Sequence, residues 1–111
     1  MSEPEATGTY EVAGRRTVAQ VPGLRVRELT LAEGQCVPWH LHTRITDTFF
    51  CMEGPMVVRT RDPDEQRTLA PGDTMAVAPG VAHRVTGFDD GPCRFMIVQG
   101  VGEYDYVTCD A

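Results

Sequence analysis

Two histidines one residue apart, His40 and His42, are followed by an acid, Asp47, within the stretch PWHLHTRITDTFF. Imidazole nitrogens together with one carboxylate form a donor set suited to Fe, Mn, Co, Ni or Zn as divalent ions. On a β-strand successive side chains point to opposite faces, so His40 and His42 would project to one side with Leu41 on the other. Asp47 follows a short bend at TRIT and opens an apolar strand on which Asp47, Phe49 and Cys51 share a face. If that strand lies beside the first, its carboxylate reaches the point where the two imidazoles converge. The third and last histidine, His83, begins HRVTGF just after the turn APGVA, and a closed or nearly closed barrel would deliver it to the same point. Such a centre would keep open positions for water, dioxygen or a chelating substrate. The competing expectation is a metal-free pocket whose histidines are satisfied by hydrogen bonds.

The elements that must hold these residues are strands. Gly and Pro recur at short intervals, and the pieces between them are rich in Val, Thr, Phe and Leu. LRVRELTL (24–31), DTFFCME (47–53), MVVRTR (56–61), TMAVA (74–78), HRVTGF (83–88) and CRFMIVQ (93–99) are strand-length runs bounded by turn residues. An additional first strand is expected around TYEVAG (9–14), with little of its own to pair with. No long window carries a 3.6-residue period, so almost no helix is expected and the class is all-β, a sandwich or barrel. RDPDEQR (61–67) is expected to be a solvated hairpin loop. Residues 1–9 are expected to be a flexible tail, with one domain over 10–111.

Composition narrows the function. The chain has 111 residues, enough for one core without disulfides. A net charge of -6 argues against nucleic acid as a partner, because a binder needs a clustered basic face. No apolar run approaches the roughly 20 residues that span a bilayer, and MSEPEATGT has no basic and then apolar leader pattern. A soluble, cytoplasmic protein is therefore expected, and its four cysteines, none in a CxxC pair, are expected to be free thiols. There is no Lys and no Asn, and Ser2 is the only serine, so lysine Schiff-base chemistry and a serine triad are excluded by inventory.

Two motifs resemble the cupin superfamily. Its first pattern, glycine, five residues, His-x-His, three or four residues, Glu, six residues, glycine, is matched by Gly34, QCVPW, His40, Leu41, His42, TRIT, Asp47, TFFCME and Gly54. Its second, glycine, five residues, Pro-x-Gly, two residues, His, three residues, Asn, is matched in spacing by Gly72, DTMAV, Ala78, Pro79, Gly80, VA, His83, RVT and Gly87. The departures are Asp47 for glutamate, Ala78 for proline and Gly87 for asparagine. The resemblance runs from about residue 24 to 99, with a spacer of 17 residues between the motifs, as in compact single-domain members. It implies an antiparallel double-stranded β-helix, the jelly-roll or cupin barrel, with ligands pointing inward. It also implies one divalent transition metal on His40, His42 and His83, with a carboxylate at position 47 as fourth ligand, and a homodimer sharing its first strands. Because aspartate is one methylene shorter, Asp47 could coordinate directly, bond a metal-bound water, orient a histidine, or act as the catalytic acid/base.

Arg44 and Arg84 flank the motif histidines, and an arginine fork suits a substrate carboxylate or phosphate. Alternation turns Arg84 away from the His83 face, which leaves Arg44, with Phe49 and Cys51, as the expected pocket lining. Trp39, opposite His40, is expected to be packing. GVG (100–102) marks a turn and carries no dinucleotide signal. The leading functional expectation is a metal-dependent enzyme on a small organic substrate, of dioxygenase, isomerase, lyase or decarboxylase type. The alternative is a non-catalytic small-molecule-binding or sensing protein.

Overall fold

A computed structural model describes residues 10–110, so the expected tail over residues 1–9 lies outside the described residues. Ten strands follow one another: β1 (Gly14–Val21), β2 (Leu24–Leu31), β3 (Cys36–Leu41), β4 (Thr46–Glu53), β5 (Met56–Thr60), β6 (Glu65–Leu69), β7 (Thr74–Val77), β8 (His83–Gly87), β9 (Cys93–Gly100) and β10 (Val107–Thr108). They form two five-stranded antiparallel sheets, ordered β1-β2-β9-β4-β7 and β10-β3-β8-β5-β6, which face each other as a double-stranded β-helix. The one helical piece among the described residues is a 3-10 turn at Phe88–Asp90, as the missing 3.6 period requires.

Alternation builds the interior rung by rung. In β2 every second residue is buried, and β9 shows the same period, so Arg25, Arg27, Leu29 and Leu31 face Gln99, Ile97, Phe95 and Cys93 on the inner side. The next strand continues each rung: Gln99 stands opposite Asp47, Ile97 opposite Phe49 and Phe95 opposite Cys51. One end of the barrel is therefore apolar, packed by Phe95, Leu31, Val58 and Val85, all with no exposure. The other end carries the rung Arg25, Gln99 and Asp47. Burying each large apolar side chain in the lower rungs contributes on the order of 1.5–3 kcal/mol, and that stabilisation holds the polar rung in place.

Two turn glycines lie in the connections between the sheets, before and after β7. Gly72 and Gly80 have φ of 95° and 82°, a left-handed conformation in which a side chain is strained. The Gly80 N–H donates to the His42 carbonyl at 2.7 Å, which ties the end of the first histidine segment to the turn preceding His83.

The structure corrects two expectations about elements. Of the expected strand TYEVAG, residue 9 lies outside the described residues and 10–13 are not strand: the first strand begins at Gly14 and pairs along its length with β2 in the same chain. RDPDEQR is a loop only to Asp64, since Glu65 opens β6 and pairs with Thr60. Both β1 and β6 are largely exposed on both faces, so neither carries the apolar alternation that marks a strand in sequence. A short terminal strand, β10, was also without signal. The four cysteines are free, as expected.

Candidate metal centre

His40 and His83 stand directly opposite each other across β3 and β8, while Asp47 enters from β4 in the facing sheet. His42 lies just past the end of β3, held by the Gly80 contact. The four side chains are all buried, and their ligand atoms lie within 4.8 Å of one another. The residues singled out from spacing are thus brought to one place by register.

Each imidazole is oriented by its second nitrogen. Nδ1 of His40 lies 2.8 Å from the Pro38 carbonyl, Nδ1 of His83 lies 2.9 Å from that of Val81, and Nδ1 of His42 meets that of Asp105. A carbonyl can only accept, so every Nδ1 carries a proton and every ring turns its Nε2 to the centre. There, Nε2 of His42 and Nε2 of His83 each lie 2.9 Å from Asp47 Oδ2. The other oxygen, Oδ1, accepts from Gln99 Nε2 at 3.1 Å, and Gln99 Oε1 in turn accepts from Arg25 Nε at 3.0 Å.

Lone pairs on nitrogen and carboxylate oxygen repel unless a cation, proton or metal, lies between them. Adjacent donors on one first-row ion with bonds of ~2.1 Å stand ~3.0–3.4 Å apart, so the two 2.9 Å separations from Asp47 Oδ2 need to open by only a few tenths of an ångström. The residues present fit such an ion. Electrostatics agree: burial works against charge on Asp47, but hydrogen bonds from His42 and His83 outweigh it and hold the carboxyl well below its usual range. Burial likewise opposes charge on His42, and its bond to Asp47 outweighs that, raising its pKa. Burial, followed by the nearby His83, lowers His40 to about 3, leaving a neutral ring ready to donate a lone pair.

Aromatic residues close the cavity above the cluster. Tyr106 stacks on His40 with ring centres 4.5 Å apart, Tyr104 lies 5.1 Å from the His42 ring, and Tyr10 completes the mouth. The free volume they leave is about 20 Å³, room for one ion or water. Phe49 lines this cavity, as expected, and its ring centre is 5.9 Å from that of His83.

Two expected lining residues do not. Cys51 packs in the apolar core two residues further along the same inward face, and Arg44 is on the surface, paired with Glu103 at 2.7 Å. Arg44 sits in the bend between strands, where a long charged side chain reaches solvent more easily than the barrel interior. Trp39 packs outside, 3.8 Å beneath the Arg61 guanidinium, and Arg84 faces away from the centre, as alternation required. Arg25, Arg27, Gln99, Asp105 and the three tyrosines were missed. The arginines had one available signal, their period-2 phase with Leu29 and Leu31. Asp105 acts through its backbone carbonyl and left no trace in residue type.

A family model described as Cupin domain matches residues 27–99. Among solved structures, one described as an uncharacterized conserved protein with a double-stranded beta-helix domain from Klebsiella pneumoniae is similar over 100% of both chains, at 20% identity and a TM-score of 0.76. KdgF from Halomonas sp. is similar over 89% of this chain and 94% of its own, with 18% identity and a TM-score of 0.71. A cupin-2 domain containing protein from Shewanella frigidimarina covers 81% and is covered over 82%, with 22% identity and a TM-score of 0.67. These likenesses are of fold. Among curated proteins none matches the chain.

Proposed function

The chain belongs to the cupin domain family, and from that premise we propose that it is a metal-dependent enzyme acting on a small organic molecule inside the barrel. The observation that carries this reading is the convergence of three Nε2 atoms and Asp47 Oδ2, with each Nδ1 committed to a backbone carbonyl. His40, His42, His83 and Asp47 would hold one divalent transition metal, among Fe, Mn, Zn, Ni and Co. When bound, such an ion polarises a carbonyl or enolate oxygen, or serves as a redox centre for dioxygen chemistry. The protein's own part is to aim the imidazoles, to exclude water through Tyr104 and Tyr106, and to offer Asp47 as ligand or proton acceptor.

The setting is proposed as cytoplasmic, and no described helix is long and apolar enough to cross a membrane. A homodimer is proposed through the first strand, β1, which forms the outer edge of its sheet and exposes Val18 and Val21. The second reading is a binding or sensing protein without turnover. It draws on the tight cavity, which gives no standing room for a substrate beside an ion. Protein loaded with each candidate metal, screened against small carbonyl and carboxylic compounds, separates the two. Turnover that a chelator abolishes and metal restores is the expected result; tight ligand binding without turnover in the metal-loaded protein would establish the binding role.

A further inference from the structure

The inward face of β2 carries two charges where a core strand would carry apolar side chains. Arg25 and Arg27 are 7% and 3% exposed, in phase with the buried Leu29 and Leu31, so their guanidinium groups are held inside the barrel. Arg27 lines the same cavity as His40, His42 and Asp47. Arg25 is one rung higher: its Nε donates to Gln99 Oε1 and its guanidinium lies 3.9 Å over the Tyr104 ring. Gln99 passes that orientation to Asp47 Oδ1. Arg25, Gln99 and Tyr104 also form the wall of an open cleft on the outside, next to Gly23 and Val101. One arginine thus stands between cleft and cavity, and a second stands inside beside the ligand cluster.

We infer that Arg27, supported by Arg25, is the carboxylate-recognising subsite of this centre, and that the molecule it takes is a small carboxylate able to place a second oxygen on the metal. The inference rests on the metal-centre reading for that second contact. A planar guanidinium fork matches a carboxylate with two parallel N–H···O bonds, and inside a low-dielectric barrel such a pair discriminates strongly against neutral analogues. A retained cation beside a divalent ion makes the cavity electropositive although the protein as a whole carries -6, so anions are drawn inward against the surface field. Occupancy needs more than 20 Å³, so entry displaces Tyr104 from the wall it shares with Arg25.

The test is calorimetric titration of the full chain with malonate and with malonamide, its uncharged counterpart, with metal content measured on the same samples. Wild-type protein is expected to bind malonate at least tenfold tighter than malonamide. R27Q is expected to lose that preference with metal content unchanged, R27K to keep part of it, and R44Q, outside the cavity, to behave as wild type. Equal binding of the two compounds by wild-type protein, which needs no variant to fold, overturns the inference; so does malonate binding in folded R27Q equal to wild type. If the protein holds no metal, the metal-centre reading fails by itself. The arginine subsite is then judged by the same malonate preference in the metal-free protein, where its absence counts against the inference.

Discussion

Asp47 meets three side-chain nitrogens with two oxygens, and this asymmetry separates the outcomes of substitution at the site. Oδ2 faces both His42 and His83 while Oδ1 is held by Gln99. Asp47→Asn keeps the shape but puts a neutral amide where the cation needs charge, so metal affinity is expected to fall tenfold or more by competition against a coloured chelator. Asp47→Glu restores the family residue and is expected to retain metal; occupancy unchanged by both variants would make Asp47 a bystander. Gln99→Leu removes the bond that fixes Oδ1, and a loss of roughly tenfold in metal affinity is expected, typical for a partner that only orients a ligand. The cysteines give a separate check. Burial, with Cys51 nearby, pushes Cys93 up to about 12, and burial also raises Cys51, so neither is a ready thiolate. Native protein is expected to titrate rapidly at no more than the two half-buried thiols, Cys36 and Cys109, and at all four in denaturant; fast native reaction of four would contradict the packing.

At the scale of elements, register explains the site better than proximity in sequence. Phe95 in the middle of β9 is fully buried, with its ring centre 5.8 Å from that of Phe49, beneath the polar rung. Phe95→Ala is expected to cost ~3–5 kcal/mol in urea unfolding, since a large cavity would open where the sheets meet. The segment after β9 crosses the barrel mouth, anchored by the Asp105 carboxylate, which accepts from Thr43 N at 2.8 Å and Thr43 Oγ1 at 2.6 Å. Asp105→Ala is expected to free that segment, release the carbonyl from His42 Nδ1 and speed metal loss severalfold in a stopped-flow chelation assay. This dependence was hidden in the sequence because the contact uses backbone. The four cluster residues were legible because His-x-His and its acid lie on one turn-linked pair of strands and His83 is the only histidine left. Arg25 and Arg27 were hidden for the opposite reason: a charged residue in a strand reads as solvent-facing until Leu29 and Leu31 fix which face is buried. The exposed strands β1 and β6 are defined by their hairpin partners rather than by any pattern of their own.

At the scale of the whole molecule, two sheets close over one polar end, and the remaining edges are β1, β7, β10 and β6. An outer strand with exposed valines is a pairing surface, so light scattering is expected to give twice the 12.2 kDa chain mass at micromolar concentration; a monomer mass would refute the dimer. A ligand that binds only the folded barrel stabilises it by mass action, and a strong chelator is therefore expected to lower the melting temperature of the purified protein. The central claim is that the three histidines and Asp47 hold a metal, and elemental analysis of protein purified without added metal tests it most directly. The expected result is about one divalent transition metal per chain in the wild type and none in a His40→Ala, His42→Ala, His83→Ala triple variant shown to be folded by circular dichroism. Full stoichiometric metal in that variant, or none in the wild type even after incubation with each candidate ion, would contradict it.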